Sequence, residues 1–235
     1  MRIFRDLLHG LDHCLDHPHH GGLKGLALAL AGLAAGWWLY VPIHELLHAA
    51  GCLAAGGSVT RLEIAPLYGG ALLQRIVPFV VAGGDYAGRL SGFATGGSDL
   101  VYLATDLGPF VLTLLPGVWW LRKAGRAGRP VQFGLSLPFA LAPFLSLPGD
   151  AYEIGSILVT RLPPWAKMQE ILRGDDLFQQ IERLAALPDA PWGGLVLAAL
   201  MGLLWAVLTC AAGGAIARAL GQGPVPPRTA AGTVR

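Results

Sequence analysis

The sequence predicts an all-α polytopic membrane protein with about four transmembrane helices. Of its 235 residues, 54% are hydrophobic and only 14% are charged, whereas a soluble domain carries about 25% charged residues. A bilayer span needs about 20 apolar residues. Four stretches reach that length, at roughly 23–56, 100–121, 131–161 and 193–217. The net charge of +2 comes without a clustered basic face and argues against nucleic-acid binding.

Residues 1–22 predict an interfacial amphipathic helix. Their apolar residues share one helical face and their charged residues fall largely on the other, which is typical of a helix lying in the membrane interface. The apolar face comprises Ile3, Phe4, Leu7, Leu8, Leu11 and Leu15. The segment also contains five histidines, His9, His13, His17, His19 and His20. Two interpretations of them stay open: a metal-loading or pH-sensing role, or the solvated face of the helix.

The membrane core is predicted at residues 23–162, with three spans and a small β-hairpin at 58–81. The stretch "SVTRLEIAPLYGGALLQRIVPFVV" has two β-prone runs on either side of Tyr68, Gly69 and Gly70, as a hairpin has. The following stretch, "GGDYAGRLSGFATGGSD", is rich in glycine. We interpret it as a flexible loop.

The remainder of the chain is predicted in three parts. Residues 163–192 should form an extramembrane amphipathic helix, with Asp175 and Asp176 as N-cap candidates and Pro188 at its close. Residues 193–220 form the fourth span. The tail at 221–235 is expected to be disordered.

Two helix-breaking sites fall inside the apolar runs. Pro42 interrupts the first run, and Pro148 and Gly149 interrupt the third. A break in a spanning helix persists only where neighbouring protein or water satisfies the freed backbone groups. Both breaks therefore indicate a site buried between helices.

The stretch "VPIHELLHAAGC" carries the chemistry. His44 and His48 are four residues apart and project from the same side of a helix. Glu45 lies beside the first histidine. This HExxH pattern is typical of two imidazole ligands to one Zn²⁺ ion and a carboxylate general base. Packed or snorkelling histidines are the plainer interpretation, but an ionisable glutamate in an apolar helix costs about 2.5–3.5 kcal/mol near the bilayer centre.

A catalytic zinc ion needs a third protein ligand and leaves a fourth position open. The candidates are Asp150 and Glu153 in the third apolar stretch and Asp106 in the second. Asp150 is favoured because it follows the break at Pro148 and Gly149. Its alternative role is the N-cap of the helix "AYEIGSILV". Glu153 stays open as an alternative ligand. Asp106 stays open as a ligand or as a hydrogen-bond partner of the N–H group of an imidazole ligand.

With these pieces, residues 24–161 resemble the site-2 protease family of intramembrane zinc metalloproteases. The resemblance rests on "HELLHAAGCLAAGGSVTRLEIAPLYGG", "DLGPFVLTLLPG" and "SLPGDAYEIG". It implies that His44, His48 and Asp150 are zinc ligands and that Glu45 is the base. It also implies that residues 58–81 offer an edge strand to an unwound substrate.

The chain departs from the family pattern at several points. The aspartate in "PGDAY" lacks the commoner Asp-Gly order. Leu47 occupies the position of the usual glycine before the second histidine, and the chain contains no asparagine. The asparagines of the family's second span and before its aspartate are therefore missing. These departures concern substrate clamping and oxyanion stabilisation more than metal binding.

The expected function is hydrolysis of peptide bonds in membrane-protein substrates. The partners are then such a substrate and the lipid bilayer, without nucleic acid, and the sequence identifies no regulatory partner. The expected location is multi-pass in a prokaryotic-type cell membrane. Two alternatives stay open: a non-proteolytic metal-binding or regulatory membrane protein of the same fold, and a small cation transporter.

Overall fold

A computed structural model describes residues 2–174 and 176–227 of the chain. The described residues are mostly helical. The α-helices are α1 (Arg2–Leu15), α2 (Gly22–Ala54), α3 (Gly70–Leu73), α4 (Asp99–Leu107), α5 (Val118–Arg126), α6 (Pro130–Ala140), α7 (Ala142–Leu145), α8 (Asp150–Val159), α9 (Gln169–Leu172), α10 (Leu177–Ala185) and α11 (Trp192–Ala219).

The described residues contain three helical segments long and apolar enough to cross a membrane: Gly22–Ala54, Asp99–Arg126 and Trp192–Ala219. They match the spans predicted at roughly 23–56, 100–121 and 193–217. The span predicted at 131–161 stays a prediction. The apolar run at 131–161 is divided into α6, α7 and α8. The break at Pro148 and Gly149 is present, because α7 ends at Leu145 and α8 begins at Asp150. The expected break at Pro42 is absent, since α2 continues through that residue.

Three strands follow α2: β1 (Ser58–Ile64), β2 (Val80–Ala82) and β3 (Gly88–Ala94). They form one sheet in the order β2-β1-β3. β1 and β2 are parallel, with Leu62 opposite Val80. β1 and β3 are antiparallel, with Ile64 opposite Gly88.

The predicted hairpin at 58–81 is therefore wrong. Its two β-prone runs pair in parallel, because a helical turn at Pro66–Tyr68 and α3 separate them and return the chain to the same end of β1. The antiparallel partner of β1 is β3, which lies in the glycine-rich stretch that we interpreted as a loop.

The structure comprises two compact units. Unit 2 contains residues 39–111 and 142–208. Within it the sheet packs on the second half of α2, where Leu62, Ile64 and Val80 form a buried cluster with Ala49. A second cluster of Phe110, Ala151 and Ile154 lies between the end of α4 and α8. Unit 2 thus brings the C-terminal half of α2, the sheet, α4 and α8 together.

Unit 1 contains the described residues of 1–38, 112–141 and 209–235. At its centre Arg122 Nε donates to Asp6 Oδ2 at 2.8 Å, and both side chains are about 99% buried. Asp6 Oδ1 also accepts from the backbone N–H of Val225, and His9 Nδ1 lies 2.9 Å from the Val225 carbonyl oxygen. These polar groups place Val225, in the segment predicted to be disordered, against α1, and the disorder of the tail stays a prediction. Residues 228–235 lie outside the described chain.

The predicted extramembrane helix at 163–192 is α10, shorter than expected. Asp176 caps it by accepting hydrogen bonds from the N–H groups of Phe178 and Gln179. The second N-cap candidate, Asp175, lies outside the described residues. α1 occupies the segment predicted as an interfacial helix, and its placement at an interface stays a prediction.

Candidate metal centre

The two motif histidines meet at their Nε2 atoms. His44 and His48 are one turn apart on α2 and both are buried. Their Nε2 atoms lie 3.1 Å apart, and their rings are almost perpendicular, with centroids 4.7 Å apart. The helical spacing alone produces this convergence, because residues i and i+4 lie on the same face.

Asp150 reaches the same point from the break in the third apolar stretch. It is the first residue of α8, and Gly149 occupies the cap position without a side-chain hydrogen bond. The Asp150 side chain therefore does not cap the helix. The carbonyl oxygen of Pro148 accepts a hydrogen bond from the Leu177 N–H at 2.7 Å. This contact ties the break to the start of α10.

The three side chains form a compact cluster. Asp150 Oδ2 lies 3.2 Å from His44 Nε2, and Asp150 Oδ1 lies 3.4 Å from His48 Nε2. Donor atoms about 2.0–2.1 Å from a tetrahedral zinc ion are separated by roughly 3.3 Å. The spacing of the cluster fits one such ion. Within the described chain, this is the group of three histidine, cysteine or carboxylate residues that could hold a metal ion.

Hydrogen bonds at the other ring nitrogens orient both imidazoles. His48 Nδ1 lies 2.8 Å from the backbone carbonyl oxygen of Thr105, which accepts only. His48 Nδ1 therefore carries a proton, and in the neutral ring the Nε2 lone pair faces the cluster. His44 Nδ1 lies 2.8 Å from the hydroxyl oxygen of Tyr40. Such partners fix the tautomer and orientation of metal-binding histidines.

A carboxylate oxygen in the cluster lacks a hydrogen bond. Asp150 Oδ2 is buried and has no hydrogen-bonding partner among the described residues. It lies 3.2 Å from His44 Nε2, but the two atoms are not aligned as a hydrogen bond requires. A buried carboxylate oxygen that faces imidazole lone pairs is stabilised by a cation between them. This orphaned oxygen, together with the spacing, shows that the residues present fit a divalent metal.

Glu45 lies beside the cluster in an open cavity of about 640 Å³. His48 and Asp150 also line this cavity. The Glu45 side chain contacts β3: a Cβ atom at Gly88 would overlap with Glu45 Cγ and lie 3.1 Å from Glu45 Oε1. The carboxylate is therefore held between α2 and the strand.

The two remaining candidates line the same cavity outside the three-residue cluster. Glu153 is nearly buried on α8 and accepts a short hydrogen bond from the hydroxyl group of Tyr102. Asp106 is buried on α4. Tyr40 and Thr105 lie at the Nδ1 atoms of the two imidazoles, and Asp106 follows Thr105 directly in the chain.

Backbone contacts set the distance between α2 and α4. A Cβ atom at Gly51 would overlap with the carbonyl oxygen of Ala104, and one at Gly108 would overlap with that of Leu47. The two helices thus touch without intervening side chains on both sides of His48. This approach brings the Thr105 carbonyl within reach of the imidazole.

The sequence analysis missed two parts of this centre. Tyr40 could have been found, because it precedes His44 by four residues on the same helix. The cavity wall formed by residues 88–91 could not, since Gly88 and Gly92 conceal the strand to which these residues belong. Arg89 in that wall lies over the ring of Tyr86 and is a basic residue within an otherwise acidic cavity lining.

No family model matches the chain, and no curated protein or solved structure matches it. The geometry of this centre and the motifs that carry the resemblance are therefore the basis on which a function can be proposed.

Proposed function

We propose that the protein is an intramembrane zinc metalloprotease of the site-2 protease type. The observation that carries the proposal is the convergence of His44, His48 and Asp150 around one point, with Glu45 beside it in the same cavity. The motif lies in a helix long and apolar enough to span a membrane. His44, His48 and Asp150 would hold the ion.

A bound zinc ion would supply Lewis-acid chemistry, which activates water and polarises a carbonyl group. Glu45 acts as the general base: a carboxylate oxygen accepts the proton of the attacking water and returns it to the nitrogen of the leaving amine. The hydroxyl group of Tyr40 and the carbonyl of Thr105 keep the two imidazoles oriented during this exchange. A purely structural site has no need of Glu45, which favours catalysis over simple metal storage.

The substrate backbone would add to the free edge of β3. This strand pairs with β1 on one side, and the sheet order leaves its other side as an edge. Residues 88–91 of β3 line the cavity that contains Glu45. An unwound substrate segment that pairs with this edge satisfies its backbone hydrogen bonds and lies along the cavity. The proposed binding strand is thus β3 rather than residues 58–81.

The test combines zinc content and cleavage in the full-length, detergent-purified protein. Zinc is measured for the wild type, His44→Ala, Asp150→Asn and Glu45→Gln, with Asp106→Asn and Glu153→Gln as matched carboxylate controls. The same proteins are reconstituted with a library of single-span peptides, and products are identified by mass spectrometry. The differences between variants remove any constant contribution from zinc on the N-terminal histidines.

We expect about one zinc ion per chain that is lost in His44→Ala and Asp150→Asn and retained in Glu45→Gln and both controls. Cleavage should disappear in Glu45→Gln. A wild type without this zinc ion would overturn the proposal. A zinc-loaded wild type that cleaves no peptide would instead favour the non-proteolytic metal-binding protein, and metal flux across proteoliposomes would favour the transporter.

A further inference from the structure

A second cavity, of about 410 Å³, lies in unit 1. Its wall comes from three parts of the chain: His17 and His20 in the turn after α1, Leu28 in the first turns of α2, and residues 127–132 at the start of α6. It contains none of the residues of the candidate metal centre.

The polar part of this cavity is basic. His17, His20 and Arg129 line it, and no aspartate or glutamate does among the described residues. The other three basic residues of "RKAGRAGR" have partners elsewhere: Arg122 binds Asp6, Lys123 lies 4.7 Å from the ring centroid of Trp119, and Arg126 binds Gln222. Among the described residues, the guanidinium group of Arg129 makes one long contact, at 3.5 Å, with the side-chain oxygen of Gln132. It is therefore available to a ligand.

The histidines are arranged for an anion rather than a metal ion. The rings of His17 and His20 stack in parallel, 5.3 Å apart and tilted by 12°, so their in-plane nitrogens do not point at a common centre. The backbone N–H of His19 donates to His17 Nδ1. In the neutral ring the proton of His17 is thus on Nε2, which acts as a donor. A positive guanidinium group in the same cavity also disfavours a cation.

The remaining wall is apolar. Leu28, Pro130 and Val131 line it, so a ligand that fills the cavity has an anionic and an apolar part. Leu28 lies six residues beyond the start of α2 at Gly22, which is about 9 Å along a helix axis. In a span that begins there, this depth is the boundary between headgroups and hydrocarbon, because each headgroup layer is about 5–8 Å thick.

We propose that this cavity binds a phosphate group, supplied by the headgroup of an anionic phospholipid whose acyl chain follows the apolar wall. Arg129 offers paired donors to phosphate oxygens, and His17 and His20 add single donors. The loop before α6 lies close to His17. Gly128 in this loop has a φ of +56°, and a Cβ atom there would lie 3.0 Å from the ring of His17. The proposal is independent of the protease assignment.

The experiment measures lipid retention by native mass spectrometry of the full-length protein in detergent. The probes are phosphatidylglycerol, phosphatidylcholine of the same chain length, and inorganic phosphate as a competitor. The variants are Arg129→Gln and the double variant His17→Gln with His20→Gln. Arg183→Gln, an exposed residue of α10 outside the cavity, is the charge-matched control. Melting temperatures identify any variant that fails to fold.

We expect the wild type to bind phosphatidylglycerol about tenfold more tightly than phosphatidylcholine, and Arg129→Gln to lose about that factor. The double histidine variant should weaken binding in the same direction, and Arg183→Gln should not. Displacement by millimolar inorganic phosphate would support the phosphate site with free phosphate as its ligand. Equal retention of both lipids, or equal retention by all variants, would overturn the proposal.

Discussion

His48 Nδ1 lies 2.8 Å from the carbonyl oxygen of Thr105, a residue on a different helix and 57 positions further along the chain. Because a carbonyl oxygen only accepts, this contact fixes the proton of the neutral ring on Nδ1 and leaves Nε2 to the cluster. The position of α4 therefore determines the tautomer of a candidate metal ligand on α2.

Replacement of Tyr40 by phenylalanine tests the same principle at the other histidine. Tyr40→Phe keeps the ring but removes the hydroxyl group that lies 2.8 Å from His44 Nδ1. We expect zinc affinity to fall about 10- to 100-fold, measured by competition with a chromogenic chelator. Tyr68→Phe, in the same unit but outside the cavity lining, is the control. Equal affinities in wild type and Tyr40→Phe would contradict this role for the hydroxyl group.

Gly88→Ala should separate metal binding from catalysis. The new Cβ atom would overlap with Glu45 Cγ, so the carboxylate must move while the ligands do not. We expect zinc content to stay unchanged and peptide cleavage to fall by at least about tenfold, because displacement of a base from its proton is costly. Gly193→Ala, whose Cβ atom would meet only the rim of Trp165, should leave both unchanged. A fully active Gly88→Ala would show that Glu45 needs no fixed position.

Asp6→Asn should strongly destabilise the protein. It leaves the guanidinium group of Arg122 buried without a counter-charge, which costs about 3–5 kcal/mol. Reversible unfolding in mixed detergent measures the loss. Arg161→Gln, at a half-exposed ion pair with Asp99, should cost at most about 1 kcal/mol. The double variant Asp6→Asn with Arg122→Met should recover part of the loss, and a double variant as unstable as Asp6→Asn would argue against the unpaired charge as the cause.

Glu63 should make the stability of the sheet depend on pH. A hydrogen bond from Arg61 lowers the pKa of Glu63, partial burial opposes this shift, and a hydrogen bond from Ser91 adds to it. A lowered folded-state pKa contributes stability above the unfolded value of about 4.3, and the contribution is lost as the pH falls through the folded value. At pH 7 the free energy of unfolding of the wild type should therefore exceed that of Glu63→Gln, by less than about 1 kcal/mol. The difference should shrink as the pH falls below about 4.3, and a difference of constant size would refute the linkage.

Most residues of the candidate metal centre could be predicted from the sequence, and less of the fold around it. His44, Glu45 and His48 could be predicted because the helical period alone brings residues i and i+4 together. Asp150 could be predicted as the leading candidate because Pro148 and Gly149 mark a break in an apolar run. The structure brings His44, His48 and Asp150 together, while their role as ligands, the role of Glu45 and the identity of the ion stay predictions.

The sheet could not be predicted because its pairing is non-local. β1 and β2 pair in parallel through a helical crossover, which leaves no local signal in the sequence. β3 contains Gly88 and Gly92, and these glycines hide the alternation of a strand. The contact of Thr105 with His48 could not be predicted either, because it uses a backbone carbonyl group, which any residue type supplies. The break of the third apolar run at Pro148 and Gly149 could be predicted, whereas the separation of α6 from α7 at Leu141 was not.

The contact of α2 with α4 through Gly51 and Gly108 has a consequence for thermal inactivation. Two backbones in direct contact leave no side chain that can change rotamer to take up a small displacement. The His48 to Thr105 spacing should thus stay constant on heating until the helices separate together. Activity should rise with temperature up to a sharp threshold and then collapse, and substitution of either glycine by alanine should replace that threshold with a gradual decline.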